Sequence, residues 1–78
     1  MDIVFENYLH KICKVEFYFS REPERTMSYT GMVEAVIRDG EQNPHIVLNV
    51  HYAGRVQVEL NDIHTIHEAG EDYFSGKL

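Results

Sequence analysis

The chain has no tryptophan, two prolines and one cysteine among its 78 residues. A lone Cys13 excludes an internal disulfide, so the fold must rest on packing and hydrogen bonds, and a reducing compartment suits it. No apolar run approaches the ~20 residues of a membrane helix. The opening stretch MDIVFENYLHKIC has no basic flank ahead of its apolar residues and does not read as a secretory signal, which makes the cytoplasm the expected location. Basic residues are also scarce: seven Lys and Arg stand against thirteen Asp and Glu, for a net charge of −6 with histidines neutral. The seven are scattered along the chain (Lys11, Lys14, Arg21, Arg25, Arg38, Arg55, Lys77). A general phosphate-binding surface needs clustered cations, so this balance argues against nucleic acid as a partner.

What is present suits one small domain. The chain is 44% hydrophobic, and four Phe and five Tyr supply bulk for a core near the lower size limit for a fold without disulfide or metal. The apolar pattern is dominated by alternation. In ICKVEFYFS (12–20), Cys13, Val15, Phe17 and Phe19 share one face; Lys14, Glu16, Tyr18 and Ser20 share the other. REPER then reads as an exposed turn around Pro23. TMSYTGMVEAVIR (26–38) reads as one long strand, with Tyr29, Val33, Ala35 and Ile37 of one parity and Gly31 among them as the expected bulge or bend. A long second strand bent at glycine lets one strand serve both halves of a small barrel. DGEQNP is a turn, and HIVLNVH (45–51) is the next strand, with Ile46, Leu48 and Val50 inward.

In RVQVELNDIHTI (55–66) the alternation of Val56, Val58 and Leu60 breaks, and the next apolar residues, Ile63 and Ile66, each lie three further on. One turn of 3₁₀ helix at Asn61-Asp62, leading into a short last strand (63–67), restores the inward direction. At the N-terminus, residues 2–11 read as a short helix capped by Asp2, with a first strand as the alternative. The predicted fold is therefore mainly β: a small five-stranded SH3-like or Sm-like barrel over residues 1–68, with the N-terminal helix packed on it. The aperiodic AGEDYFSGKL (69–78) reads as a mobile acidic tail. The expected core is Val15, Phe17, Phe19, Val33, Ile37, Ile46, Leu48, Val50, Val56, Val58, Ile63 and Ile66.

No phosphate-cradling glycine loop, nucleophile elbow or framed carboxylate pair occurs, so the chain reads as non-catalytic and without a cofactor. Cys13 falls on the inward parity and reads as a structural thiol. His64 and His67 would point to opposite faces of a strand, and His45 and His51 would stand about 20 Å apart along another, so no zinc site converges. The outward aromatic and guanidinium groups are better candidates, because both give large contact area with few rotors to freeze. Arg38 and Arg55, at the strand ends, with Tyr52, Tyr18 and His51 nearby, form the expected ligand face for a small anion or a partner.

The span 15–67 resembles the Sm-like fold, and YTGMVEAVIRDG is similar to that family's glycine-containing second strand. LNDIHTI lacks the arginine-glycine of the family's second motif, and Asn49 in HIVLNV is out of register for the first, so RNA binding is not carried over. The chain also resembles YolD-like proteins of Gram-positive bacteria and their phages. The matching stretches are KVEFYF, Gly31-Met32-Val33, HIVLNV and Leu60-Asn61-Asp62-Ile63-His64-Thr65-Ile66. That resemblance implies an accessory role with no catalytic residues to transfer. Two functions follow as expectations. One is an interaction module that self-associates through open strand edges. The other is a small phage-type inhibitor, which either presents acidic side chains to a nucleic-acid enzyme or sequesters a small nucleotide.

Overall fold

The computed structural model describes residues 3–19 and 22–69 of the chain. The fold is mainly β. Five strands, β1 (Ile12–Phe19), β2 (Glu22–Ile37), β3 (His45–Val50), β4 (Gly54–Glu59) and β5 (Ile63–Glu68), form one antiparallel sheet in the order β4-β3-β2-β1-β5. Strands β4 and β5 are consecutive in the chain yet lie at opposite edges of the sheet. Only the 3₁₀ turn Leu60–Asp62 joins them. In a flat five-stranded sheet those edges would be about 19 Å apart. A three-residue 3₁₀ turn advances roughly 6 Å. The sheet must therefore curl until its two edges meet at this turn. No ladder joins β4 to β5 among the described residues, so the barrel is not closed by hydrogen bonds. The 3₁₀ turn stands where the broken alternation predicts it.

The long β2 serves both halves, as its length predicts. Residues 26–32 pair with β1, and residues 31–37 pair with β3. Gly31 stands where the two ladders overlap, opposite Cys13 on one side and Val50 on the other. A Cβ at this position would lie 2.3 Å from the backbone oxygen of Asn49. The glycine is thus required by the closeness of β3, and the bulge expected there falls elsewhere. It falls at Glu34, where the register shifts between Val33↔Leu48 and Ala35↔Val47. One inserted residue reverses the parity beyond it. This overturns one core assignment: Val36 packs against the core and Ile37 turns outward, 37% exposed.

The N-terminal expectation is also corrected. Asp2 lies outside the described residues, and the segment forms a single 3₁₀ turn, Phe5–Tyr8, instead of a helix over 2–11. Val4 precedes it in extended conformation with no side-chain cap, Leu9 caps its end and His10 follows at φ 65°. His10 N–H then donates to the carbonyl of Val33, so the chain is drawn into the β1–β2 ladder before a second turn can form. Phe5 is buried, and Ile3, Tyr8 and Leu9 pack against the core beside it.

The expected turn at REPER is shorter than predicted. Strand β2 begins at Glu22, opposite Phe19, and the register shifts across 23–25 before Thr26 meets Tyr18. Pro23 is tolerated because it falls in this irregular stretch, where no ladder donor is needed. The expected tail from Gly70 onward lies outside the described residues, as does the side chain of Phe19.

The core is built from Cys13 and Val15 of β1, Val33 of β2, Ile46, Leu48 and Val50 of β3, Val58 of β4 and Ile66 of β5, with Phe5 at one end. Phe17, Val56 and Ile63 pack around it, half-buried, and the Phe17 ring stacks on Tyr29 at 5.4 Å. Among the described residues no helix is long and apolar enough to cross a membrane.

Two substitutions test this arrangement by opposite routes. Leu48→Ala empties a fully buried site and should cost roughly 2–5 kcal/mol. Gly31→Ala adds one methyl group against backbone and should cost about 1–3 kcal/mol by overpacking. Thermal unfolding of both variants checks the pair. An unchanged Gly31→Ala would show that β3 does not approach β2 this closely.

Candidate functional site

The curled sheet distributes its polar groups over several places. The first spans three strands. Because Glu34 is the bulge residue, its carboxylate stands over the outer face of β2, where Asn49 of β3 and Arg55 of β4 already lie opposite each other in register. Asn49 Nδ2 donates to Glu34 Oε2 at 3.0 Å, and Arg55 Nε donates to Oε1 at 2.7 Å. The Arg55 guanidinium, followed by the Asn49 amide, holds the Glu34 carboxyl below the usual glutamate range.

The second place ties the N-terminal turn to the end of β2. Arg38 grips Glu6 with two hydrogen bonds, Nε to Oε2 at 2.6 Å and Nη2 to Oε1 at 3.1 Å. This bidentate geometry lowers the Glu6 pKa and raises that of Arg38. Arg38 also lines a groove of about 550 Å³ between the two 3₁₀ turns, together with Ile3, Phe5, Pro44, Leu60, Asn61 and Ile63.

The third place lies across β1 and β5. The register shift there leaves His64 as the extra residue opposite β1, between Thr65↔Glu16 and Ile63↔Phe17. Its Nδ1 lies 3.0 Å from the Tyr18 hydroxyl, and the two rings are 5.2 Å apart. Beside them Thr65 Oγ1 donates to Glu16 at 2.8 Å.

These positions separate the expected ligand face into three. His51, Tyr52 and Arg55 stay together at the β3–β4 hairpin, where Tyr52 is 91% exposed and its ring lies edge-on to His51 at 4.7 Å. Arg38 is at the other end. Strand β3 runs antiparallel to both neighbours, so the end of β2 lies beside His45, whereas the start of β4 lies beside Asn49 and Val50. Arg38 lies one residue beyond Ile37, so the two arginines are about 17 Å apart along the strand direction. Tyr18 lies farther off still, opposite Thr26, in the part of β2 that β3 does not reach.

Glu6 and Glu34 were not visible as partners in the sequence. The apolar run Ala35-Val36-Ile37 carries no parity of its own, so nothing in the spacing marks Glu34 as a bulge. Among the described residues no group of three His, Cys, Asp or Glu is placed to hold a metal ion. Cys13 is fully buried, and burial, followed by the nearby Glu68, pushes its thiol up to about 11. At neutral pH it stays protonated and inert.

No family model, curated protein or solved structure matches the chain. The Sm-like and YolD-like resemblance rests on the strand and glycine pattern quoted above.

The two ion pairs set an expectation for acid. Both carboxyl groups are depressed in the folded state. Their contribution is complete above the ordinary glutamate pKa of ~4.3 and disappears as pH falls through the lowered folded values. Glu6→Gln and Glu34→Gln should each flatten the acid limb of a stability-versus-pH curve while leaving the shape between pH 6 and 8 unchanged. A limb of unaltered slope in both variants would assign acid sensitivity to other groups.

Proposed function

We propose that the chain is a non-catalytic interaction module that assembles with copies of itself through open strand edges, acting as a cytoplasmic accessory protein in a bacterial or phage setting. The supporting observation is the unclosed sheet. Strands β4 and β5 each leave one row of backbone donors and acceptors without a ladder, and residues 26–30 of β2 have no strand beside them on the side away from β1 among the described residues. Unpaired edges are templates for pairing with another chain. The Sm-like resemblance implies the same mode of assembly.

The second reading is the phage-type inhibitor. The charge of −6 favours its acidic-mimic form. A nucleotide-sequestering form is less well supported, because Arg38 and Arg55 each already hold a carboxylate that a phosphate would have to displace. Salt separates the readings: binding of an acidic surface to a basic enzyme weakens as ionic strength rises, and backbone pairing between strand edges changes little.

Light scattering combined with amide hydrogen exchange at two protein concentrations tests the self-association. The expected result is a mass above the monomer that survives high salt, with exchange at one of these edges slowing as concentration rises. A monomeric mass at high micromolar concentration, with exchange at all three edges independent of concentration, would overturn the proposal.

A further inference from the structure

The loop between β2 and β3 is anchored at three points to the strands it crosses. Asn43 Nδ2 donates to Glu59 Oε1 at 3.2 Å, the Asn43 carbonyl lies 2.8 Å from His45 Nδ1, and Leu60 N–H donates to the Pro44 carbonyl at 3.0 Å. This loop lies against His45, which belongs to the outward parity of β3, and His45 is only 5% exposed.

The hydrogen bond to Asn43 decides the chemistry of the ring. A carbonyl oxygen only accepts, so Nδ1 carries the proton, and in the neutral imidazole Nε2 is left with its lone pair. Nε2 has no partner among the described residues, and the ring lines a cleft of about 390 Å³ together with Glu41, Gln42, Asn43, Gln57 and Glu59. That volume lies within the ~300–1,000 Å³ of small-ligand pockets. Glu59 stands opposite His45 in register, and Gln57 lies two residues earlier on the same face of β4. Glu59 uses one carboxylate oxygen to hold Asn43 and keeps the other.

The cleft therefore offers a nitrogen lone pair that opens to solvent on an otherwise buried ring, two carboxylates and adaptable amides, in a protein of net charge −6. An anion would meet two like charges. A metal ion is not favoured, since no three ligating groups converge among the described residues. A planar cation with several donors suits the lining best, because it can serve separate acceptors at once. Guanidinium presents five donors in a rigid fork and gives up its hydration more readily than an ammonium.

We propose that this cleft binds a guanidinium group, with Glu59 and Glu41 supplying charge, His45 Nε2 accepting a hydrogen bond and Gln57 closing the side. The group would come from a small free guanidinium compound or from an arginine side chain on a basic partner segment. Gln57 and Glu59 belong to the edge strand β4 but act through side chains and not through its backbone, so the proposal does not rest on the self-association.

Titration by NMR, following the His45 ring and the Gln57 side-chain amide, tests it with three probes. These are N-acetyl-arginine amide, its neutral citrulline counterpart and an acetylated Ala-Arg-Ala amide. Both arginine probes should shift the two signals saturably, and citrulline should not. Glu59→Gln and the exposed Glu41→Gln should each weaken arginine binding at least tenfold with little change in melting temperature. A tripeptide that binds tenfold more tightly than the single residue identifies a partner segment as the source, and equal affinities identify a small molecule. Absence of saturable shifts, equal shifts with citrulline, or undiminished binding by both variants would overturn the proposal.

Discussion

The closeness of β3 to β2 at Gly31 is the constraint on which the rest of the structure depends. This residue is paired on both sides, to Cys13 and to Val50, and it is the point at which β2 passes from one half of the sheet to the other. A side chain there would collide with the backbone of Asn49, so only glycine lets the sheet curl this tightly. The curl brings β4 and β5 near enough for a three-residue turn to connect them. It also places the side chains of all five strands around one core: Val15, Val33, Leu48, Val58 and Ile66 come from five different strands and are all buried.

The surface follows from the same geometry combined with an excess of acid. Arg38 and Arg55 each meet a glutamate carried by a different element. Glu6 is delivered by the N-terminal 3₁₀ turn and Glu34 by the bulge in β2, so these backbone irregularities are also points of charge pairing, beside the Lys11–Glu68 pair at 3.4 Å. Exposed pairs of this kind contribute little stability in water because solvent screens them. Their larger effect is on the remaining surface, where three of the few cations, Lys11, Arg38 and Arg55, are committed to carboxylates inside the fold. The outward field is then set by the other acidic groups, which favours cationic ligands and basic partners.

Strand existence and order of burial were legible because alternation is a direct record of which face meets the core. Ile46, Leu48 and Val50 are read from HIVLNV without ambiguity, and the 3₁₀ turn is read from the three-residue step between Leu60, Ile63 and Ile66. Features that depend on the opposing strand were not legible. A bulge is a mismatch between two strands, and Ala35-Val36-Ile37 is apolar at every position, so the outward turn of Ile37 has no local signature. The N-terminal helix failed for a related reason. Val4, Phe5, Tyr8 and Leu9 satisfy a helical face, yet the pairing of His10 and Lys11 with Val33 takes the chain into the ladder after one turn. For the candidate site, each residue of the expected ligand face is exposed or half-buried. Which of them converge depends on the antiparallel order of β2, β3 and β4, and that separates Arg38 from Arg55.

His45 shows how a loop can reverse the meaning of parity. By alternation it belongs to the solvent face, and a histidine there would ordinarily be hydrated at both nitrogens. The loop 39–44 lies against it, with Gly40 at φ 115° allowing the chain to turn sharply after β2. The Asn43 carbonyl then satisfies one nitrogen while the ring is withdrawn from water. No buried side-chain nitrogen or oxygen is left without a partner among the described residues, so the second nitrogen is not sealed in and meets solvent through the cleft. As an acceptor there it is open to any donor that enters, and a ligand competes with water for it. In a cleft flanked by Glu41 and Glu59, a donor that also carries positive charge satisfies the hydrogen bond and the local field together.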